Sequence, residues 1–291
     1  TLQMPLNVCH YFGTSVANRL FFSPNLSLNW EINSRWKIGA KMSINRQEPA
    51  VNDSHAMPIL VDYRTFEMSP INFYGSRSCQ KMAYVSYADY AHMLFVRASV
   101  GYDTRYSNLS RTKSVDRHGM THYSTVESDN NSHGIMALVT ISKRLEWLKG
   151  TFNARCVLSQ NTSSMYQNGI NTEFKTGSLQ TSASLNSNVW TWLDIAYRAQ
   201  HSINALEISA MKNRTKLLIQ ELELTLMPTD ALNFSLSAEH YASYFNDGAR
   251  KHTFFADFSC LYKYHKTDFT LHLNNILNQR YYNNATYNNL S

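Results

Sequence analysis

Apolar residues recur at every second position along most of the chain, and no other feature constrains its fold as strongly. Leu26, Leu28, Trp30 and Ile32 alternate with Ser27, Asn29 and Glu31. After Asn33, Ser34 and Arg35 the pattern restarts with Trp36, Ile38, Ala40, Met42 and Ile44 against Lys37, Lys41, Ser43 and Asn45. Successive side chains of a β-strand point to opposite faces, so each stretch predicts a strand with one apolar face, and the pair predicts a hairpin. The same alternation returns at 94–102, 135–141, 152–158, 179–185, 193–199, 218–226, 232–238, 254–262 and 269–273, with a less regular strand across 80–88. Twelve strands are expected in all. A helix competes across 216–227, where Leu217, Leu218 and Ile219 run together. Gln220, Glu221 and Glu223 nevertheless interleave with Leu222, Leu224 and Leu226 at period two until Pro228, which favours a strand.

The connections carry a second signal. Short polar links are expected near 33–35, 89–92, 144–147, 186–188, 228–231 and 265–266, and long ones near 47–79, 107–132, 161–177, 201–215 and 243–251. Short and long therefore alternate, and nothing in a soluble up-and-down barrel demands that. An outer-membrane barrel does, with tight turns on the periplasmic side and long loops outside. Strands of about 9 to 12 residues also suit a tilted crossing of a bilayer core.

Alternation alone does not separate a membrane barrel from a soluble one, because each has one apolar and one polar face. Twelve apolar faces would overfill a small soluble barrel, whose interior is full at about eight strands. Aromatics also gather at strand ends, as with Trp30, Trp36, Trp190, Trp192, Tyr102, Tyr106, Tyr241, Tyr244, Tyr262 and Tyr264, where interfacial girdles sit. The fold class expected is all-β, an antiparallel transmembrane β-barrel filling residues 1–291.

Composition agrees. Of 291 residues only 16% are charged, below the usual quarter or so, while Tyr reaches 18 and Phe 14. The net charge of +6 is spread without a run of five basic residues, so no nucleic-acid partner is expected. No stretch approaches the roughly 20 apolar residues of a membrane helix, and no signal peptide opens the chain. A cytosolic protein and a mature or partial chain both stay open on that ground. Cys9, Cys79, Cys156 and Cys260 lie far apart with no CxxC pair, which disfavours a zinc cluster and reads as scattered free thiols.

The stretch from Phe269 through Asn275, Ile276, Leu277, Asn278, Arg280 and Tyr281 resembles the penultimate-strand signature of TonB-dependent outer-membrane receptors. In that signature an alternating strand is followed by Asn, an apolar pair, Asn or Asp, a basic residue and Tyr. The segment 222–244, with its Leu-Met-Pro-Thr-Asp-Ala-Leu turn, resembles late hairpins of the Bacteroidetes-type receptors. The resemblance implies a portion of a 22-stranded barrel and a gating N-terminal plug outside this chain. It also implies coupling to the TonB energy-transducing complex, a surrounding outer-membrane lipid phase and a surface lipoprotein partner. The chain departs from the family in offering twelve strands, no room for a plug and no closing strand with a terminal aromatic. It is therefore expected to be a C-terminal barrel portion of a Gram-negative outer-membrane protein.

No HExxH, GxSxG, Walker or GxGxxG motif is present, and no enzymatic activity, resident metal or cofactor is expected. His118 and His122, with His133 nearby, have metal-ligand spacing only if their loop is helical; polar loop histidines are the plainer account. Asp194 with Arg198, and Glu221 with Glu223, mimic catalytic pairs but fit charges on a watery lumen wall. Tyr106, Tyr123, Tyr166, Tyr244, Phe245, Tyr282 and Tyr287 lie in or beside the long links, where they could stack on a substrate or anchor the interface. No individual substrate ligand can be named. The function expected is the barrel of an energy-coupled nutrient transporter; the alternatives are a passive porin or adhesin barrel, and a soluble all-β binding protein.

Overall fold

The structure is a computed structural model that describes residues 2–4, 6–11, 17–47, 55–69, 76–167, 170–209, 211–245 and 248–279. Its strands are β1 (Leu2–Gln3), β2 (Leu6–Tyr11), β3 (Ala17–Phe22), β4 (Asn25–Glu31), β5 (Trp36–Gln47), β6 (His55–Asp62), β7 (Thr65–Ser69) and β8 (Ser76–Asp89). There follow β9 (Leu94–Val115), β10 (Thr121–Leu145), β11 (Gly150–Gln167), β12 (Ile170–Trp190) and β13 (Leu193–Ile208). The last are β14 (Met211–Thr229), β15 (Leu232–Tyr244), β16 (Arg250–Tyr264) and β17 (Thr267–Leu273). All twelve alternating stretches are strands, including β14, where a helix competed.

One sheet runs β1, β4, β5, β8 and then β9 to β17 in chain order, every neighbour antiparallel. Among the described residues no pairing joins β17 back to β1 or β4, so the sheet is open and does not close into a barrel by itself. The hairpin β2–β3 stands apart from it, and β6–β7 attaches to β10 through β7.

Because neighbours are antiparallel and joined by short turns, the turns at 32–35, 90–93, 146–149, 191–192, 230–231 and 265–266 all lie at one end. The link expected at 186–188 is strand instead; a register shift between Ser187 and Trp190 carries β12 on to the turn at 191–192. The far end differs more from expectation. Strands here reach 25 residues, because three of the links expected to be long loops are largely hairpin extensions. Residues 107–132 hold the outer halves of β9 and β10 around a turn at 116–120, and 161–177 and 201–215 are nearly all strand. In water an extended hairpin keeps its backbone paired without needing an apolar face, so pairing outlasts the alternation. The expected link at 47–79 contains β6, β7 and the start of β8; residues 48–54 and 70–75 lie outside the described residues.

Candidate functional site

Register assigns each side chain to a face. Ile195, Leu224, Leu236, Phe258 and Leu273 form one continuous cross-strand row, and Tyr197, Leu222, Ala238 and Ala256 form the next row on the same face. Among the described residues this face is covered by nothing. Among the described residues Ala242 is the only buried hydrophobic side chain, whereas Val139, Leu236 and Phe254 are 40%, 38% and 51% exposed. At its short-turn end stands a belt of exposed rings: Trp30, Trp36, Tyr90, Trp147, Trp190, Trp192, Tyr262 and Tyr264. Trp190 stacks on Trp192 with centroids 5.5 Å apart, and Trp36 leans on Tyr87 at 4.8 Å. Tyr241, expected at an interfacial girdle, belongs to the opposite face, where its hydroxyl donates to Glu239 Oε2 at 2.8 Å.

The second face is polar and carries charges of both signs. On β5, β9 and β11 it presents Lys37, Lys41, Arg97, Arg105 and Arg155 with Asp103 among them; on β14 to β16 it presents Glu221, Glu223, Glu239 and Asp257 with Lys251 and Lys263 on the same face. A concavity of about 520 Å³ opens over the row Ser86, Arg97, Thr140, Arg155, Ser182 and Gln200. One row farther from the short turns, Tyr84 donates to Asn29 Oδ1 at 2.5 Å, and the Arg97 guanidinium stands 5.0 Å over its ring. Such a wall can hold a polar solute or a folded charged insert; it has no nucleophile–base pair.

The residues singled out in sequence fall as follows. Arg198 Nη1 pairs with Glu221 Oε2 at 2.7 Å, directly across the strands, while Asp194 accepts instead from Asn188 Nδ2 at 2.6 Å. The Asp194–Arg198 and Glu221–Glu223 pairs are therefore wall charges on one face. The segment between His118 and His122 is a hairpin turn rather than a helix. His122 Nε2 lies 3.3 Å from Asp116 Oδ2 and its ring stacks on Phe66 at 5.4 Å. Asp116 also takes the backbone N–H groups of Met120 and His118; the Met120 bond is the main cause that holds its carboxyl below the usual range, burial acting against it. His133 sits far down β10, opposite Thr104 and Thr162. Among the described residues no three His, Cys, Asp or Glu side chains converge as a metal site. Cys79, Cys156 and Cys260 are free thiols; the side chain of Cys9 lies outside the described residues.

Of the outer-end aromatics, Tyr106 donates to Asp129 Oδ1 at 2.7 Å and Tyr244 carries Arg250 at 5.8 Å over its ring. Phe245 opens the turn between β15 and β16, and Tyr123 lies in β10. The side chain of Tyr166, and Arg280, Tyr281, Tyr282 and Tyr287, lie outside the described residues. The Asn275–Asn278 half of the quoted motif is a turn: Asn278 N–H donates to the Asn275 carbonyl at 2.8 Å. Asn275 N–H in turn donates to Asp257 Oδ1 at 2.6 Å, which ties the motif to the polar face of β16.

No family model and no curated protein matches the chain. Solved structures do. The FrpB iron transporter from Neisseria meningitidis is similar with a TM-score of 0.56 and 9% identity, over 87% of this chain and 44% of its own. The ferric enterobactin receptor PfeA from Pseudomonas aeruginosa, in complex with enterobactin, gives 0.55 and 10%, over 87% and 41%. The chain thus spans about two fifths of the length of either, and at these identities the likeness is one of fold.

Proposed function

We propose that this chain is part of the barrel wall of an outer-membrane transporter of a Gram-negative bacterium, of the TonB-dependent receptor class and nearest its Bacteroidetes-type members. The single observation that carries the proposal is the uncovered apolar face, bounded by a ring belt, in a sheet with almost no buried core. Such a face is stable only against lipid or an equally apolar partner. The fold shared with an iron transporter and a ferric enterobactin receptor supports a transport role. On this reading the wall belongs to a closed barrel of about 22 strands, and the charged polar face seats a plug that couples to TonB. The outer hairpins receive the solute, alone or with a surface lipoprotein, and no bond of the solute is broken.

Two cysteines test sidedness, in a background freed of the native four: Arg117→Cys in the β9–β10 turn and Asp230→Cys in the β14–β15 turn. On intact cells an impermeant thiol reagent should label the first and reach the second only once the outer membrane is opened. Uptake of a panel of ferric chelates, compared between wild-type and deletion strains, should then fall with the deletion and with a protonophore. Equal labelling of both turns, or recovery in the soluble fraction, rejects the proposal. Uptake indifferent to the protonophore favours a passive pore, the second reading.

A further inference from the structure

Two features of the apolar face meet at its outer corner and have no part in a transport path on the other face. The first is a basic row. Ile203, Lys216, Tyr244 and Arg250 are cross-strand neighbours on β13 to β16, and beneath them run His201, Leu218, Ala242 and His252. Neither row contains a carboxylate. Lys216 and Arg250 are both exposed. Counted from the turns at 230–231 and 265–266, both stand a few residues beyond the roughly 9–11 that a tilted strand needs to cross the hydrocarbon. That is headgroup level, where a basic side chain on a lipid-facing surface meets anionic groups of the leaflet.

The row also has a built footing. Gln220 Nε2 donates to Tyr197 Oη at 2.8 Å, Gln220 Oε1 lies 3.0 Å from His240 Nδ1, and His240 Nε2 lies 3.1 Å from His252 Nδ1. The His240 ring is stacked on Phe254 at 4.2 Å. This hydrogen-bonded chain crosses four strands at the top of the apolar band and leaves few polar atoms of its own to satisfy. The second feature is a furrow of about 350 Å³ next to the row, lined by Ala154, Cys156, Thr181, Ala183, Ala199 and Leu218. Its small side chains leave a channel on the apolar face, and Leu218 stands two residues from Lys216 on that same face.

We propose that this corner is a binding site for a phosphate-bearing lipid of the outer leaflet, one acyl chain lying in the furrow and the phosphate held between Lys216 and Arg250 above Tyr244. The inference rests on the reading that the apolar face meets lipid. It is independent of what the barrel transports and of any coupling partner. A cationic row alone would suit any anion; the adjoining apolar furrow selects one that carries a hydrocarbon chain.

The test titrates the detergent-purified full chain with phosphatidic acid, a phosphomonoester lipid, and with phosphatidylcholine as the zwitterionic control, reading bound lipid by native mass spectrometry. Phosphatidic acid should bind in preference. Lys216→Gln and Arg250→Gln should each weaken it about fivefold, and together about 25-fold, as expected for roughly one interfacial charge contact apiece. Lys216→Arg should keep the affinity, and Lys212→Gln, whose partner is Glu207 farther out, should leave it unchanged. Ala183→Phe, which fills the furrow without touching a charge, should weaken it as well. Equal binding of both lipids, or a double variant that binds like wild type, overturns the site. Full displacement by an equal concentration of inorganic phosphate would show a free-anion site and overturn it too. A chain that stays soluble without detergent would overturn this proposal together with the transporter reading, whereas loss of lipid selectivity alone overturns only this one.

Discussion

Tyr84 occupies the space that a side chain on Gly39 would need: a Cβ built on Gly39 meets the Tyr84 ring and hydroxyl at 2.5–2.6 Å. Glycine here is a requirement of close approach rather than of backbone angle, for it lets a ring on β8 lie flat over β5 and reach Asn29 on β4. Gly39→Val should swing the ring away and cost about 1 kcal/mol through the lost Asn29 bond. In a Tyr84→Ala background the same substitution should cost nearly nothing. Urea unfolding of the four proteins of this cycle measures the coupling; additive effects would show that ring and glycine are independent.

The apolar row through Ile195, Leu224, Leu236, Phe258 and Leu273 sets a second expectation. Arg at Leu224, Leu236 or Phe258 should cost roughly 2–4 kcal/mol if placed near the bilayer midplane. Arg at Ser235 or Ser237, on the polar face beside them, should be tolerated. Folding yield into lipid vesicles, scored by resistance to unfolding in detergent, distinguishes the faces; equal sensitivity would mean that both are packed.

Glu221 lies directly opposite Glu239 on β15 and opposite Arg198 on β13, so the arginine offsets a like-charge pair. Arg198→Ala should destabilise by about 0.5–1 kcal/mol, since Glu221 keeps over a quarter of its side chain exposed and water screens the remainder. Adding Glu221→Gln should restore most of the loss. A double variant no better than Arg198→Ala would show that the repulsion is already screened.

At the β8–β9 turn, Asp89 accepts from the His92 ring at 2.9 Å and from the Ala91 and His92 backbone N–H groups at 3.1 and 3.4 Å. The His92 side-chain bond, followed by burial acting in the opposite sense, then the His92 backbone bond and Arg35, takes its carboxyl from 3.8 to about 2. A depressed carboxylate stabilises the fold above its ordinary pKa and loses that contribution as pH falls through the folded value. The stability gap between wild type and Asp89→Asn should therefore be constant above about pH 5 and close between about pH 4 and pH 2. A gap that persists unchanged at about pH 2 would show that the turn is held by other bonds.

The sequence made the alternating part of this fold legible and little else, and the reason is where selection for alternation acts. In 218–226 and 254–262 one face must be apolar, so the period of two is written into the residues and both strands were readable. In the outer half of β10, Thr-His-Tyr-Ser-Thr-Val-Glu-Ser-Asp, both faces are polar, and the strand is held by backbone pairing and scattered side-chain contacts rather than by an apolar face. Its pattern is that of a loop. β6, with Met57, Pro58, Ile59, Leu60 and Val61 in a run, hid for the opposite reason, since an unbroken apolar run has no period. The wall charges were visible one by one, but Arg198 was matched with Asp194 along its own strand. Its true partner, Glu221, lies 23 residues away and is fixed only by register. The Gln220–His240–His252 chain is unreadable for the same reason, because its members stand on three different strands and only register brings them together.

The outer hairpins are also cross-braced. β7 runs parallel to β10 over Thr65–Met68, and the tip of β11 runs parallel to β9 where Tyr166 and Gln167 meet Thr112 and Lys113. Strands β7, β10, β9 and β11 are so tied to one another, within the same large sheet, beyond the apolar band. A loop that must order itself around a ligand gives up roughly 1–2 kcal/mol of backbone entropy for each residue it fixes. Here the backbone of these hairpins is already paired strand to strand. On the transporter proposal, recognition at this end is preorganised: it favours solutes whose shape already matches the rim, and it excludes the rest by stiffness rather than by a closing motion.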